Sequence, residues 1–119
     1  MFLFRRGPAR VTPADAHLRT RDGGAVLLDV REPAEWAAGH APGAVHAPLS
    51  ALQTGASLPA AAQGRPLMVV CRSGHRSRPA AKLLTGRGAA VVDVKGGMNA
   101  WAAAGLPVVD DRGNSGSIT

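Results

Sequence analysis

The chain holds a single cysteine, no tyrosine, two tryptophans and two phenylalanines. One thiol excludes an internal disulfide and fits a reducing compartment. With aromatics at 3% of the chain, the core has to be built from Ala, Val and Leu. A nucleic-acid platform that stacks bases on aromatic rings has almost nothing to work with. No apolar run approaches the roughly 18 residues needed to cross a bilayer, so no membrane partner is expected. Met1–Arg10 sets its arginines after Phe2-Leu3-Phe4 with no apolar stretch beyond them. That is the reverse of a secretory signal, and a cytoplasmic location is the expectation. Acidic residues are scarce too: 8 Asp and Glu stand against 14 Lys and Arg, for a net charge of +6. Arg5, Arg10, Arg19, Arg31, Arg65 and Arg87 form no cluster in the sequence. Their charge reads as a solvated surface and a positive field for anions, not a nucleic-acid interface.

What is present is an alternation of strand and helix patterns. A chain of 119 residues with 45% hydrophobic content is sized for one domain. Thr12-Pro13-Ala14-Asp15 carries a cap, a first-turn proline and an early acid, predicting a helix over 13–21. Asp22-Gly23-Gly24 is a turn, and the apolar run from Ala25 to Val30 is a buried strand. Pro33 opens a short helix carrying Trp36 that ends by Gly39, Val45 marks a short strand, and Leu49–Leu52 begins a helix capped by Ser50. Residues 54–64 read as a loop with a short helical piece. A strand from Leu67 follows, then a helix to Thr85 with Gly86 past its end. Ala89–Val94 is a further strand, and Met98–Ala104 a helix stopped at Gly105. This order predicts an α/β fold, a parallel sheet with helices on both faces. Residues 1–10 are assigned to an N-terminal segment, 11–109 to the domain, and the polar, glycine-rich 110–119 to a disordered tail.

Cys71 stands where the apolar run Leu67-Met68-Val69-Val70 gives way to Arg72-Ser73-Gly74-His75-Arg76-Ser77. A thiol at the carboxyl end of a buried strand, just before a helix, sits where open α/β sheets bind ligands. The free N–H groups of a helix start favour negative charge there. A lone cysteine is by default an inert core residue. Two arginines, two serines, a histidine and a glycine within six residues cannot all be buried without partners. The turn therefore lines the surface or a pocket, and Cys71 is read as a reactive thiolate.

Gly74 allows φ > 0, so successive amides can turn toward one point. Arg72, Arg76 and a protonated His75 would add positive charge around it. Such a cradle suits either a small oxyanion or a negatively charged sulfur on Cys71. Four residues separate Cys71 from Arg76, whereas cysteine-dependent phosphatases have five between cysteine and arginine. The tighter ring favours a single sulfur atom over a tetrahedral phosphate.

Four blocks of the chain together resemble the single-domain rhodaneses, a sulfurtransferase family. They are Leu28-Asp29-Val30-Arg31-Glu32-Pro33-Ala34-Glu35-Trp36, Gly39-His40-Ala41-Pro42-Gly43-Ala44, Cys71-Arg72-Ser73-Gly74-His75-Arg76-Ser77 and Gly96-Gly97-Met98-Asn99-Ala100-Trp101. The cell-cycle tyrosine phosphatases share the fold and have the longer loop. The resemblance implies that Cys71 is the nucleophile, carrying a covalent persulfide, and that Arg72, Ser73, Gly74, His75, Arg76 and Ser77 hold the sulfur. It also implies that Asp29, Arg31 and Glu32 support the loop and that Gly96, Gly97 and Trp101 are structural. It implies a small anionic sulfur donor such as thiosulfate and an acceptor that is cyanide, a thiol or a protein cysteine, for example on a thioredoxin-like protein. No cofactor and no metal are implied. His75 with Cys71 falls short of the three or four ligands a metal needs, and His40 and His46 are read as packing or turn-capping residues. Asp29 and Glu32 are read as braces for Arg31 or Arg76.

Overall fold

The structure, a computed structural model, describes residues 9–119. Residues 1–8 of the expected N-terminal segment lie outside the described residues. The chain runs β1 (Ala9–Val11), α1 (Pro13–Arg21), β2 (Val26–Asp29), α2 (Pro33–Ala38), β3 (Val45–His46) and α3 (Leu49–Gln53). A single 3-10 turn at Ala60–Ala62 leads to β4 (Leu67–Val70), α4 (Ser77–Gly86), β5 (Val91–Val94) and α5 (Gly97–Ala103). All strand pairs are parallel, in the order β1-β5-β4-β2-β3.

The central strands β2 and β4 are buried at every residue, as their unbroken Leu, Val and Met character requires when both sheet faces are covered. Successive side chains point to opposite faces. Val26, Leu28, Leu67 and Val69 pack with Leu49 and Leu52 of α3 and Ala80 and Leu84 of α4. Leu27, Met68 and Val70 pack with Ala16 of α1 and Met98 and Trp101 of α5. Trp101 is buried, yet its indole N–H donates to the Pro107 carbonyl at 2.8 Å. Its partner across the helices is His17, edge-on at 5.4 Å between ring centres. Helix α1 begins as its sequence predicts, with the Asp15 amide donating to the Thr12 hydroxyl at 3.2 Å.

Four expectations are corrected. Residues 9–11 are an edge strand, so Ala9 and Arg10 belong to the sheet and not to an N-terminal segment, with Arg10 directly opposite Asp93; three residues are too few to show a strand period. Ser50 does not cap α3, which follows Pro48; its hydroxyl donates to the Glu32 carboxylate at 2.8 Å. Gly86 lies inside α4, and Gly88, at φ +93°, makes the turn. The extra turn is held by Arg87, whose guanidinium donates to the carbonyls of Leu52 and Ala56.

Residues 110–119, expected to be a disordered tail, fold back on the domain. Val109 bridges His40 and Ser115, and the Ser117 amide donates to the Ala38 carbonyl at 3.0 Å. The Asp110 carboxylate closes the turn by accepting from the amides of Arg112 and Asn114, each at 2.9 Å. The polar, glycine-rich composition serves this turn rather than disorder, and Ile118 rests against the α1–α5 core.

Gly97 has φ +59°, and a Cβ there would lie 2.4 Å from the Cys71 carbonyl oxygen and 2.7 Å from the Arg72 carbonyl. Gly88 has open space around it. Gly97→Ala is therefore predicted to cost more than the roughly 1–3 kcal/mol of backbone strain, and more than Gly88→Ala. Urea unfolding midpoints of the two variants check this; equal midpoints would contradict it.

Candidate active site

Strand β4 carries Cys71 to the carboxyl edge of the sheet, where its side chain is 1% exposed. The Gly74 amide donates to Sγ at 3.1 Å, a contact that needs the loop to double back over three residues. Gly74 does this at φ +100°, in a region that favours glycine. The loop is gripped from behind. The Met98 amide donates to the Cys71 carbonyl at 2.7 Å, and the Asn99 amide to the Arg72 carbonyl at 2.9 Å. Two loop carbonyls are thereby turned onto the start of α5. Gly97 permits the approach.

The other loop residues divide by role. Arg72, Ser73 and His75 are exposed, and the Ser73 hydroxyl and His75 Nδ1 lie 3.0 Å apart. Ser77 is buried and its hydroxyl donates to Asp93. Arg76 forks onto Glu35, with Nη1–Oε1 at 2.5 Å and Nη2–Oε2 at 2.7 Å, a charge-assisted bidentate pair. The hydrogen bond from Arg76 is the main reason the Glu35 carboxyl falls from its ordinary 4.5 to about 2, against an opposing effect of burial. The same bond raises Arg76 above its ordinary value, with further support from the charges of Glu35, Cys71 and Glu32.

The predicted braces act at one remove. Asp29 and Arg31 form a fully buried pair, Nη2–Oδ2 at 2.7 Å and Nε–Oδ1 at 2.9 Å. Arg31 also donates to the carbonyls of Gly39 at 2.6 Å and Glu35 at 3.4 Å. The pair thus holds α2 at its middle and at its C-cap, and α2 presents Glu35 to Arg76. Glu32 braces neither arginine: its amide donates to Glu35 at 3.0 Å and its carboxylate accepts from Ser50. Trp36 stacks with His40 at 3.6 Å and with His46 at 4.7 Å. Both imidazoles also reach backbone carbonyls, of Trp36 and Arg31 respectively.

Three residues escaped the sequence reading. Glu35 takes the role given to Asp29 or Glu32 as the partner of Arg76. Asp93, fully buried, accepts from Ser77 with one oxygen and from Arg10 Nε at 2.9 Å with the other. Arg10, counted among scattered surface charges, is its cross-strand partner and lies against Gly74, with Nη2 3.3 Å from where a Cβ there would be. A carboxylate interrupting the buried run Val91-Val92-Asp93-Val94 was the available signal for Asp93. Nothing in the sequence joins Arg10 to it across 83 residues.

A parallel sheet flanked by helices on both faces, with a cysteine loop at its carboxyl edge, defines a class of α/β domain. The chain matches the family model of the rhodanese-like domain over residues 12–104, and it belongs to that family. Among solved structures it is similar to a rhodanese-related protein from Thermoplasma volcanium, at 30% identity and a TM-score of 0.73, over 85% of this chain and 97% of that one. It is also similar to a thiosulfate sulfurtransferase from Pseudomonas aeruginosa, at 26% identity and a TM-score of 0.73, over 95% of this chain but 22% of that one. A Rhodopseudomonas palustris protein named as a possible tyrosine phosphatase matches at 27% identity and a TM-score of 0.71, over 85% of this chain and 84% of that one.

Two predictions follow from these ion pairs. Glu35 has a folded-state pKa below its ordinary one, so its contribution is complete above about pH 4.5 and is lost as pH falls toward about 2. Glu35→Gln is expected to cost about 1 kcal/mol at neutral pH, as a partly exposed pair, and to flatten the stability curve in that acid window; an unchanged curve would contradict this. Asp29→Ala leaves Arg31 buried without its counter-charge, and is expected to cost about 3–5 kcal/mol. Equal denaturation midpoints with abolished chemistry would place Asp29 in the reaction instead.

Proposed function

We propose that this domain is a sulfurtransferase, moving a sulfane sulfur from a small anionic donor such as thiosulfate to a thiophilic acceptor through a persulfide on Cys71. The observation that carries this reading is the amide of Gly74 closing on Sγ within a loop of only four residues between Cys71 and Arg76. In the first step the Cys71 thiolate attacks the outer sulfur of thiosulfate. A new S–S bond forms to Sγ, the donor's S–S bond breaks, and sulfite leaves with the electron pair. In the second step cyanide, a thiolate or a protein cysteine attacks the outer sulfur and Cys71 departs as thiolate. The half-reactions need no base if both sulfurs enter ionised. The Gly74 amide at Sγ stabilises the charge that stays on sulfur, and Arg76 contributes a cation held in place by Glu35.

The named activity of the Pseudomonas protein supports the reading, as does the family. We assign the protein to a reducing, cytoplasmic setting on the strength of its single thiol. A phosphatase reading has the Rhodopseudomonas neighbour in its favour, but the loop is one residue short of the cysteine–arginine spacing of those enzymes.

Brief incubation with thiosulfate is expected to add one sulfur, about 32 Da, to the intact mass by the covalent route. Cyanide should discharge it and Cys71→Ser should abolish it. A free, alkylatable Cys71 after exposure to thiosulfate and to a small persulfide would contradict sulfur transfer. Insertion of one glycine between Cys71 and Arg76 is expected to exchange sulfur loading for hydrolysis of an aryl phosphate; a variant that keeps the original preference would show that loop width does not decide.

A further inference from the structure

Cys71 lies at the bottom of its loop, 1% exposed, so whatever takes its sulfur must come to the rim. The rim is of one sign. Arg72 and His75 project from the loop, Arg78 from the first turn of α4, Arg10 from β1 and Lys95 from the end of β5, all exposed. These elements converge. Arg10 Nη2 and the Gly96 amide fall 3.3 and 3.5 Å from the position of a Cβ on Gly74, which puts Arg10 and the Lys95–Gly96 turn against the loop. Ser77, next to Arg78, and Arg10 share the two oxygens of Asp93, which brings the first turn of α4 beside them.

Of the carboxylates around the loop among the described residues, Glu32 alone stands outside an ion pair, and it accepts from Ser50 at 2.8 Å between α2 and α3, away from Arg72, Arg78 and Lys95 in the fold's element order. Asp93 is buried under Arg10 and Ser77, Glu35 is forked by Arg76, and Asp29 is buried on Arg31. Arg72, Arg78 and Lys95 take part in none of the ion pairs among the described residues, which are Arg10–Asp93, Arg21–Asp22, Arg31–Asp29 and Arg76–Glu35. A donor as small as thiosulfate is served by the cradle itself. A rim reaching from β1 to α4 is wider than such an ion requires.

We infer that this rim docks an acidic protein surface that presents the acceptor cysteine, the inference resting on the sulfur-transfer reading for its chemistry but not for its docking. Complementary charge accelerates encounter and fixes orientation over such a patch. A nucleic acid would offer the same sign, but among the described residues the rim shows no aromatic face for bases: Trp101 is buried and Trp36 is stacked with two histidines. It would also bring no thiol. The transfer is balanced: the acceptor thiolate bonds to the outer sulfur, the S–S bond to Sγ breaks, and the electron pair returns to Cys71.

Two cysteine peptides, identical except for flanking Glu or Gln, serve as probes. The persulfide-loaded protein is expected to discharge to the Glu peptide about tenfold or more faster, after each rate is divided by that peptide's rate with a neutral small disulfide. The ratio should fall toward one at about 0.5 M salt, where screening is short-ranged. It should also shrink several-fold in an Arg78→Gln/Lys95→Gln double variant. Serine versions of both peptides, titrated by fluorescence anisotropy against the unloaded protein, read docking without chemistry and should show the same preference. Equal binding and equal discharge of the two peptides would overturn the inference, as would tighter binding of a single-stranded oligonucleotide of equal charge. A binding preference without any persulfide loading would leave the docking face standing and remove the sulfur chemistry beneath it.

Discussion

The carbonyls of Cys71 and Arg72 are both held by the opening amides of α5, at 2.7 and 2.9 Å, and the shape of the cysteine loop depends on that grip. A loop of six residues with its carbonyls free to turn inward would present oxygen, not N–H, to the sulfur. With these two fixed on α5, the Gly74 amide is left facing Sγ at 3.1 Å. The close approach is possible because position 97 has no side chain, and because Gly97 adopts φ +59° where a Cβ would overlap the loop backbone. The packing of α5 through Met98 and Trp101 therefore bears on the chemistry of a residue on the far side of a strand.

Around this backbone frame, charge is arranged in layers. The innermost pair, Asp29–Arg31, is wholly buried and every polar atom it brings is satisfied. Such a pair adds little net stability over an apolar filling, while losing one member is costly. Its work is positional, fixing α2 through the carbonyls of Glu35 and Gly39. The next layer, Glu35–Arg76 and Asp93 with Arg10 and Ser77, ties α2, β5 and β1 to the carboxyl-terminal end of the loop. The outermost layer is unpaired and basic. The acids that touch the site, Asp29, Asp93 and Glu35, are each held by an arginine, while Arg72, Arg78 and Lys95 stand exposed at the mouth.

The fold was legible because its elements carry strong local signals. The continuous apolar runs at Val26–Asp29 and Leu67–Val70 marked the central strands, and the prolines at 13 and 33 marked helix starts. Cys71 and its loop were legible from composition alone. The missed features all rest on partners far apart in sequence. β1 is three residues defined by a neighbour, the Arg10–Asp93 pair spans 83 residues and Arg76–Glu35 spans 41. Ser50 had the chemistry of a cap and was recruited by Glu32 instead. The tail looked disordered because its polar groups satisfy a turn, which composition does not distinguish from solvation.

The central claim is that the loop is built to hold one sulfur atom on Cys71. A crystal structure of the protein after exposure to thiosulfate tests it most directly. The account predicts density for a single extra atom bonded to Sγ, within hydrogen-bonding distance of the loop amides and with the Cys71 and Arg72 carbonyls still on α5. An unmodified Sγ beneath a tetrahedral oxyanion seated in the loop would contradict it.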